Sequence, residues 1–417
     1  MPDSKPIATI AASSSTASGQ DRQGRQGRQG LDRALSAELQ SIQDAGLLRS
    51  LRRVEGRQSV SVGLGGRDTL LLCSNNYLGL ADDPRVVAAA VNAAQTYGSS
   101  AVSSRLVSGH MAIHADTEAT IAAWKGTEAA LLFSTGYQAN LGVLTTLVGP
   151  GDVIVSDELN HASIIDGCRL ARAHTAVYRH NDVEHLRTVL AAHGDARRIL
   201  VVTESVFSMD GDRAPLSDIA DACEEVGAWL VVDEAHAVGI FGKQGAGLVS
   251  ELGLNERVHA TIGTLGKALA SFGAYVAGSR TLIDLLVNRA RTLIFTTGLP
   301  PSAVAAAREA IEICKQEPGR RTGLIERASA LGLALRNDGL DVPHIESQIL
   351  PIVIGDTRRA VAVANQLLEQ GIYVAAIRPP TVPQGTSRLR LSLMATHTPE
   401  QIERARGALV QAIAAPG

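Results

Sequence analysis

Aromatic residues make up only 3% of this 417-residue chain, and its formal charge is −3, so it has no basic excess. A chain with neither a basic stripe nor stacking platforms lacks the footprint of a nucleic-acid binder, and a small-molecule partner is the better expectation. Cysteine is as sparse: Cys73, Cys168, Cys223 and Cys314 lie far apart, with no pair at metal-ligand or redox-motif spacing. They read as buried small hydrophobes in a reducing compartment. The N-terminus has no continuous apolar core of a signal peptide, and no run of about 18 apolar residues occurs, which argues against secretion and membrane spanning and for a cytoplasmic protein. A G-x-G-x-x-G after the first strand is also missing. The pairs Gly242-Lys243 and Gly266-Lys267 are followed by Gln244 and Ala268, where a phosphate loop needs Ser or Thr. Dinucleotide binding and nucleotide hydrolysis are both disfavoured.

What the chain does have is length, 45% hydrophobic residues and a regular alternation of patterns. Residues 1–30, with the run RQGRQGRQG, cannot bury apolar surface and are expected to be disordered. From Leu31 an amphipathic helical pattern, LDRALSAELQSIQDAGLLRSLRR, opens a leading arm that reaches residue 80 through VSVGLGG and SNNYLGL. Between residues 81 and 300 the apolar runs AALLF, DVIVS, TAVYR, RILVVTES, WLVVDE, ATIGT and GAYVAG alternate with helical segments. Strands separated by helices predict an α/β fold, a mainly parallel sheet covered on both faces. Pro300 and Pro301 break the pattern, and the runs ILPIVIG, GIYVAAIR and RLRLSLM with a final helix predict a smaller α/β domain over residues 301–417.

Such a sheet holds a phosphate-bearing ligand at the carboxyl ends of its strands. In TIGTLGKALASFGAYVAG, Lys267 follows an apolar strand within a run of small residues, with Thr264 three positions earlier. That suits a Schiff-base lysine beside a phosphate anchor, although a loop lysine is by itself commoner on the surface. WLVVDEAHAVG ends a strand with Asp233 and places His236 three residues on. A carboxylate there can keep a pyridine nitrogen protonated, which points to pyridoxal 5'-phosphate (PLP), and His236 can reach the ring's phenolic oxygen. The plainer reading is a helix cap or a nucleotide-hydrolysing DEAH box, which requires the phosphate loop already rejected.

In FSTGYQAN, Ser134, Thr135, Gly136 and Tyr137 turn a strand into a helix whose N-terminus can hold the phosphate. In DELNHASIIDG, His161 can lie on the ring, and in VVTESVFSMDGD, Ser208 occupies a comparable loop. An ordinary helix cap, a helix-start histidine and a turn serine are the bland alternatives. His110 and His114 stand four apart without a third ligand or the H-E-x-x-H glutamate, so no metal is expected.

Together these segments, with SNNYLGLADDP, GSSAVSSRLVSG and RPPTVPQGTSRLRLSLMATHT, resemble the α-oxoamine synthases of the fold-type I PLP enzymes across nearly all of residues 40–400. The resemblance implies that Lys267 carries the cofactor, that Asp233 pairs with the pyridine nitrogen and that His161 stacks on the ring. It assigns His236 and Ser208 to the phenolic oxygen, and Gly136, Tyr137 and Thr264 to the phosphate. Thr296 or Thr297 is implied to reach that phosphate from the other subunit of a homodimer. Arg378 is implied to bind the amino-acid carboxylate, with Asn75, Arg49 and Thr381 completing the substrate pocket. SSRLVSG and RPPTVPQGT resemble the branch that condenses L-alanine with a pimeloyl thioester, carried by coenzyme A or acyl carrier protein, in biotin biosynthesis. The implied alternatives are glycine with acetyl-CoA, serine with a fatty acyl thioester, or an inactive subunit on the same fold. The N-terminal tail and Asn76, where aspartate is frequent, depart from the family pattern.

Overall fold

The computed structural model describes residues 19–415, and the chain divides into two units at Leu51 and Arg52. In the first unit a single helix spans Gly19–Asp44. It starts earlier than the helical pattern predicts, so the RQG repeats from Gly19 onward are helical and not disordered; residues 1–18 lie outside the described residues. Gln and Arg are good helix formers, and once the amphipathic segment has nucleated a helix each added residue gains a hydrogen bond. The helix also stops short of the pattern's end. Gly46 adopts φ +69°, and Leu47 N donates to Ile42 O at 2.9 Å, a left-handed cap that closes the last turn. Leu31, Leu35, Leu39 and Ile42 form an apolar stripe that is exposed.

The second unit is built on a seven-stranded sheet in the order Ala129–Phe133, Ala274–Gly278, Ala260–Thr264, Trp229–Asp233, Ile199–Glu204, Val153–Asp157, His174–Tyr178. Every strand expected between residues 81 and 300 is present. All are parallel except Ala274–Gly278, which runs against both of its neighbours. Side chains alternate between the two faces: Val201 joins the core on one side, while Leu200 and Val202 join the core on the other. Burial on both faces explains why these strands are continuous apolar runs, and each buried Val or Leu contributes roughly 1.5–3 kcal/mol.

Around this sheet lie two smaller ones. Ile349–Gly355, Ser387–Ser392 and Ala375–Ile377 form a three-stranded sheet with Ser387–Ser392 at its centre. Val54–Glu55, Ser61–Leu64 and Arg67–Leu71 form another, which takes Ile372–Tyr373 as a parallel fourth strand. The arm segment after residue 52 is thereby stitched into the C-terminal part of the chain. Ser392 N donates to Leu72 O at 2.7 Å and Ala395 N to Tyr77 O at 2.7 Å, which brings SNNYLGL up to the carboxyl ends of the central strands.

Behind the central strands Lys125 and Glu234 form an ion pair with side-chain exposures of 1% and 0%. Lys125 Nζ also donates to Ala246 O, and Glu234 Oε1 accepts from Val249 N at 2.8 Å. These partners compensate charges that are costly to bury alone. They also fix the chain that follows Asp233.

Candidate active site

The loops following Phe133, Asp157, Glu204, Asp233 and Thr264 leave the sheet at the carboxyl ends of their strands. Lys267 sits in a tight turn closed by Leu265 N to Gly273 O at 2.9 Å, Ser271 N to Leu265 O at 2.8 Å and Ala270 N to Lys267 O at 2.9 Å. Ala270 is held at φ +48°, a conformation L-residues seldom adopt. In the strand before it Gly263 is obligatory, since a Cβ there would stand 2.4 Å from the Tyr275 ring.

The amine of Lys267 meets His236 Nε2 at 2.7 Å, and His236 Nδ1 meets the Tyr77 hydroxyl at 2.7 Å. Tyr77 donates its proton to Asn75 Oδ1 at 2.9 Å. The hydroxyl oxygen then accepts from His236 Nδ1–H, leaving Nε2 to accept from the lysine amine. His236 is buried, and burial together with the nearby Lys267 and Arg390 charges holds its pKa well below the usual histidine value. Burial likewise pulls Lys267 down to about 8, against the opposing pull of Asp233 and Glu204.

Asp233 ends the central strand with both oxygens occupied: Oδ1 accepts from Ala235 N at 2.8 Å and Oδ2 from Asn140 Nδ2 at 2.8 Å. Asn140 Nδ2 also donates to Ser163 Oγ at 2.9 Å, and Ser163 Oγ lies 2.8 Å from His161 Nδ1. One amide thus ties the carboxylate to the loop of His161, whose side chain is exposed at the helix start and accepts from Ser163 N. Glu204 pairs in register with Asp233; burial first, and then the Asp233 charge, push its carboxyl up to about 8, and Glu204 Oε1 has no hydrogen-bond partner.

The helix Gly136–Leu147 begins beside these groups. Thr135 Oγ1 accepts from Gln138 N at 3.1 Å, so the amides of Gly136 and Tyr137 are the donors an anion would meet at its positive end. A Cβ on Gly136 would meet nothing within 4 Å. Thr264 Oγ1 accepts from Gly266 N at 3.2 Å. Thr296 Oγ1 accepts from Gln138 Nε2 at 3.3 Å, and Thr297 O accepts from Ser134 Oγ at 3.3 Å, so both threonines stand beside this chain's own Ser134–Gln138 segment.

Lys267, Asp233, His161, His236, Thr264 and the Gly136–Tyr137 turn thus gather at one edge of the sheet. Ser208 is buried nearby, with its carbonyl accepting from Arg390 Nε at 2.6 Å. Arg378 is half-buried at the end of the strand Ala375–Ile377, while Thr381 is exposed and its N–H donates to Arg378 O at 3.1 Å. Arg49 is an exposed residue of the N-terminal unit. His114 engages Met111 N at 3.1 Å and Leu299 O at 2.9 Å through its two ring nitrogens.

Tyr77, Asn140 and Glu204 belong to the site although the sequence did not single them out for it, and Arg390 joins them. Tyr77 and Asn140 lie inside the quoted motifs SNNYLGL and FSTGYQAN, and Glu204 is an acidic residue closing an apolar strand, as Asp233 is. Arg390 is buried; it donates to Ser208 O, to Ser392 Oγ at 2.9 Å and to Tyr77 Oη at 3.4 Å.

This donor set fits PLP. A fixed carboxylate suits a pyridinium nitrogen, an exposed imidazole can cover a ring face, a desolvated amine suits an aldehyde, and the helix amides with Thr264 suit a phosphate.

The pattern of the class I and II aminotransferases matches residues 67–409. An 8-amino-7-oxononanoate synthase from Anaeromyxobacter dehalogenans strain 2CP-1 is 53% identical over 369 residues, covering 88% of this chain and 92% of its own. Among solved structures, a serine palmitoyltransferase from S. paucimobilis with a bound PLP–myriocin aldimine superposes with a TM-score of 0.87 at 36% identity, covering 91% of this chain and 96% of that one. An 8-amino-7-oxononanoate synthase from Francisella tularensis gives 0.71 at 28% identity, covering 82% of this chain and 97% of that one. The chain belongs to the class I and II aminotransferase family, in the branch formed by the 8-amino-7-oxononanoate synthases.

The environment of Lys267 sets its titration. In the PLP-free protein, labelling of Lys267 by an amine-selective reagent should rise through about pH 8, since only the neutral amine reacts. Asp233→Asn removes a charge that holds the proton, so it should move the midpoint lower still. A midpoint near the ordinary lysine value of 10.5 would contradict this desolvation.

Proposed function

We propose that the protein is a PLP-dependent acyltransferase that condenses L-alanine with a pimeloyl thioester, releasing the thiol and carbon dioxide, to give 8-amino-7-oxononanoate for biotin biosynthesis. The observation that carries this reading is the convergence of Lys267, His236, Asp233 and His161 beside the Gly136 helix N-terminus, in a chain 53% identical to a synthase of that name. Serine palmitoyltransferase is the second reading, favoured by a TM-score of 0.87 but at only 36% identity.

Bound at Lys267, PLP supplies a conjugated pyridinium into which the electrons of a broken Cα–H bond can delocalise. Asp233, held in place by Asn140 and Ala235, keeps the proton on the ring nitrogen. His161 covers a ring face, and His236 and Ser208 address the phenolic oxygen. Gly136, Tyr137 and Thr264 hold the phosphate, helped by Thr296 or Thr297 of a second subunit. Released from the cofactor when the amine of alanine takes its place, Lys267 Nζ would remove the α-proton; after the C–C bond to the thioester carbonyl has formed with loss of the thiol, and carbon dioxide has left, the same ammonium would return a proton to the α-carbon.

The active unit is a homodimer. Val102, Leu106, Val107, Phe272 and Phe295 are large apolar side chains exposed on a single chain, in segments that flank the site, and a second copy would cover them. Asn75 and Thr381 complete the substrate pocket, and coenzyme A or acyl carrier protein delivers the acyl group. No helix among the described residues is long and apolar enough to cross a membrane, and four free cysteines suit the reducing cytoplasm.

Mass spectrometry of products from the PLP-loaded protein tests the reading directly. Alanine with pimeloyl thioester should give 8-amino-7-oxononanoate, while glycine or serine with other acyl thioesters should give far less. A preference for serine and a long-chain acyl thioester would move the chain to the palmitoyltransferase reading.

The carboxylate anchor is Arg378. It stands at the end of the strand Ala375–Ile377 and is followed by Pro379 and Pro380, which fix the backbone of the loop that presents it. Charged hydrogen bonds are worth roughly 1.5–3 kcal/mol each, so Arg378→Ala should raise the dissociation constant for alanine by at least about tenfold. The visible PLP spectrum of the resting protein should not change. Unchanged alanine affinity in Arg378→Ala, with a large loss in Arg388→Ala or Arg390→Ala, would place the anchor on the RLR strand instead.

A further inference from the structure

Away from the groups assigned to PLP, one imidazole spans two carboxylates. His180 Nδ1 lies 2.9 Å from Asp157 Oδ1, and its Nε2 lies 2.8 Å from Asp212 Oδ2. Two carboxylates can both be satisfied only if each ring nitrogen donates, which requires the imidazolium. Burial disfavours that charge, but the hydrogen bonds to Asp157 and Asp212 outweigh it and push the His180 pKa up to about 10.

Each carboxylate belongs to a different loop of the site. Asp157 ends the strand Val153–Asp157 and is fully buried at its side chain. It also accepts from Leu159 N at 2.9 Å and Asn181 N at 3.0 Å, which fixes the start of the short loop leading to His161. Asp212 belongs to the turn that contains Ser208: Phe207 N donates to Asp212 O at 3.0 Å, Gly211 N donates to Phe207 O at 2.9 Å, and Val206 bridges to Arg213. The Phe207 ring meets the His180 ring edge-on, with centroids 4.4 Å apart. Asn181 donates from Nδ2 to Asp212 Oδ2 at 2.7 Å and is held at φ +53°, which Asn tolerates better than most residues. From its far side the same turn is gripped by Arg388 at Asp210 and by Arg390 at Ser208 O. The turn is therefore clamped between His180 and the RLR strand, and His180 is the charged ring that joins it to the loop of His161.

We propose that His180 is a positioning residue: as an imidazolium donating to Asp157 and Asp212, it fixes the separation between the loop that presents His161 and the turn that presents Ser208. The inference rests on the reading that these two residues address PLP from different sides. Misplacing groups around a reacting centre by about 1 Å can cost on the order of a hundredfold in rate, so the effect should appear in turnover more than in folding.

The test uses the full-length PLP-loaded protein with His180→Phe, which keeps a ring against Phe207 but removes both donors. A companion, His180→Phe with Asp212→Asn, relieves one of the two carboxylates left without the imidazolium and keeps the comparison available if the single variant folds poorly. Both should shift the visible absorption of bound PLP and lower kcat by at least about tenfold, with a smaller change in KM for alanine. The companion should recover thermal stability without recovering kcat or the spectrum. Recovery of activity in step with stability would overturn the inference, as would a folded His180→Phe with wild-type spectrum and kcat. A wild-type protein that takes up no PLP would overturn the underlying reading and this inference with it, whereas PLP uptake and turnover in the wild type with indifferent variants would overturn the inference alone.

Discussion

Everything at the carboxyl edge of the sheet depends on keeping the amine of Lys267 desolvated next to charge without letting it become an ordinary ammonium. Burial pulls its pKa to about 8 while Asp233 and Glu204 pull the other way. The balance requires a neutral neighbour, and His236 supplies one because burial keeps it uncharged. Its Nδ1 proton goes to Tyr77, which in turn needs Asn75 and Arg390 around its hydroxyl. A strand end, an arm segment and the C-terminal strand are thus drawn together by the hydrogen-bonding needs of one imidazole.

Rigidity is the second theme, and it is achieved mostly with charges held in buried or half-buried pairs. Lys125 and Glu234 hold the chain behind Asp233, Arg388 and Asp210 hold the Ser208 turn, and His180 holds two carboxylates at once. Breaking one member of such a pair leaves an uncompensated charge, so each is hard to lose singly. Loops at strand ends are the natural place for reactive groups, but only if something fixes them. Here the fixing groups come from sequence positions far from the loops they hold.

That distance explains what the sequence could and could not reveal. The central strands were legible because each is a β-rich apolar run flanked by helical periodicity, and Lys267, Asp233, His236 and His161 because each follows such a run. The pairing of Ile372–Tyr373 with Arg67–Leu71 has no local signal, since it joins segments about three hundred residues apart. RLRLSLM is legible as a strand, but not that Ser387–Ser392 is the middle strand of its sheet and buried throughout, which turns Arg388 and Arg390 inward to carboxylate and carbonyl partners. The RQG repeats, low in hydrophobicity and expected to be disordered, are helical from Gly19 because a helix started elsewhere can run through them. Tyr77 and Asn140 sat in view, inside recognised motifs, but their roles depend on contacts that local pattern does not encode.

The central claim is that Lys267 is the residue that carries PLP. Borohydride reduction of the PLP-loaded protein, followed by proteolysis and mass mapping, tests it with least interpretation. The reduced pyridoxyl group should sit on the peptide containing Leu265-Gly266-Lys267, and its loss in Lys267→Ala should be complete. Stoichiometric labelling of Lys125, Lys243 or Lys315 instead, or PLP bound without any reducible linkage, would contradict the account.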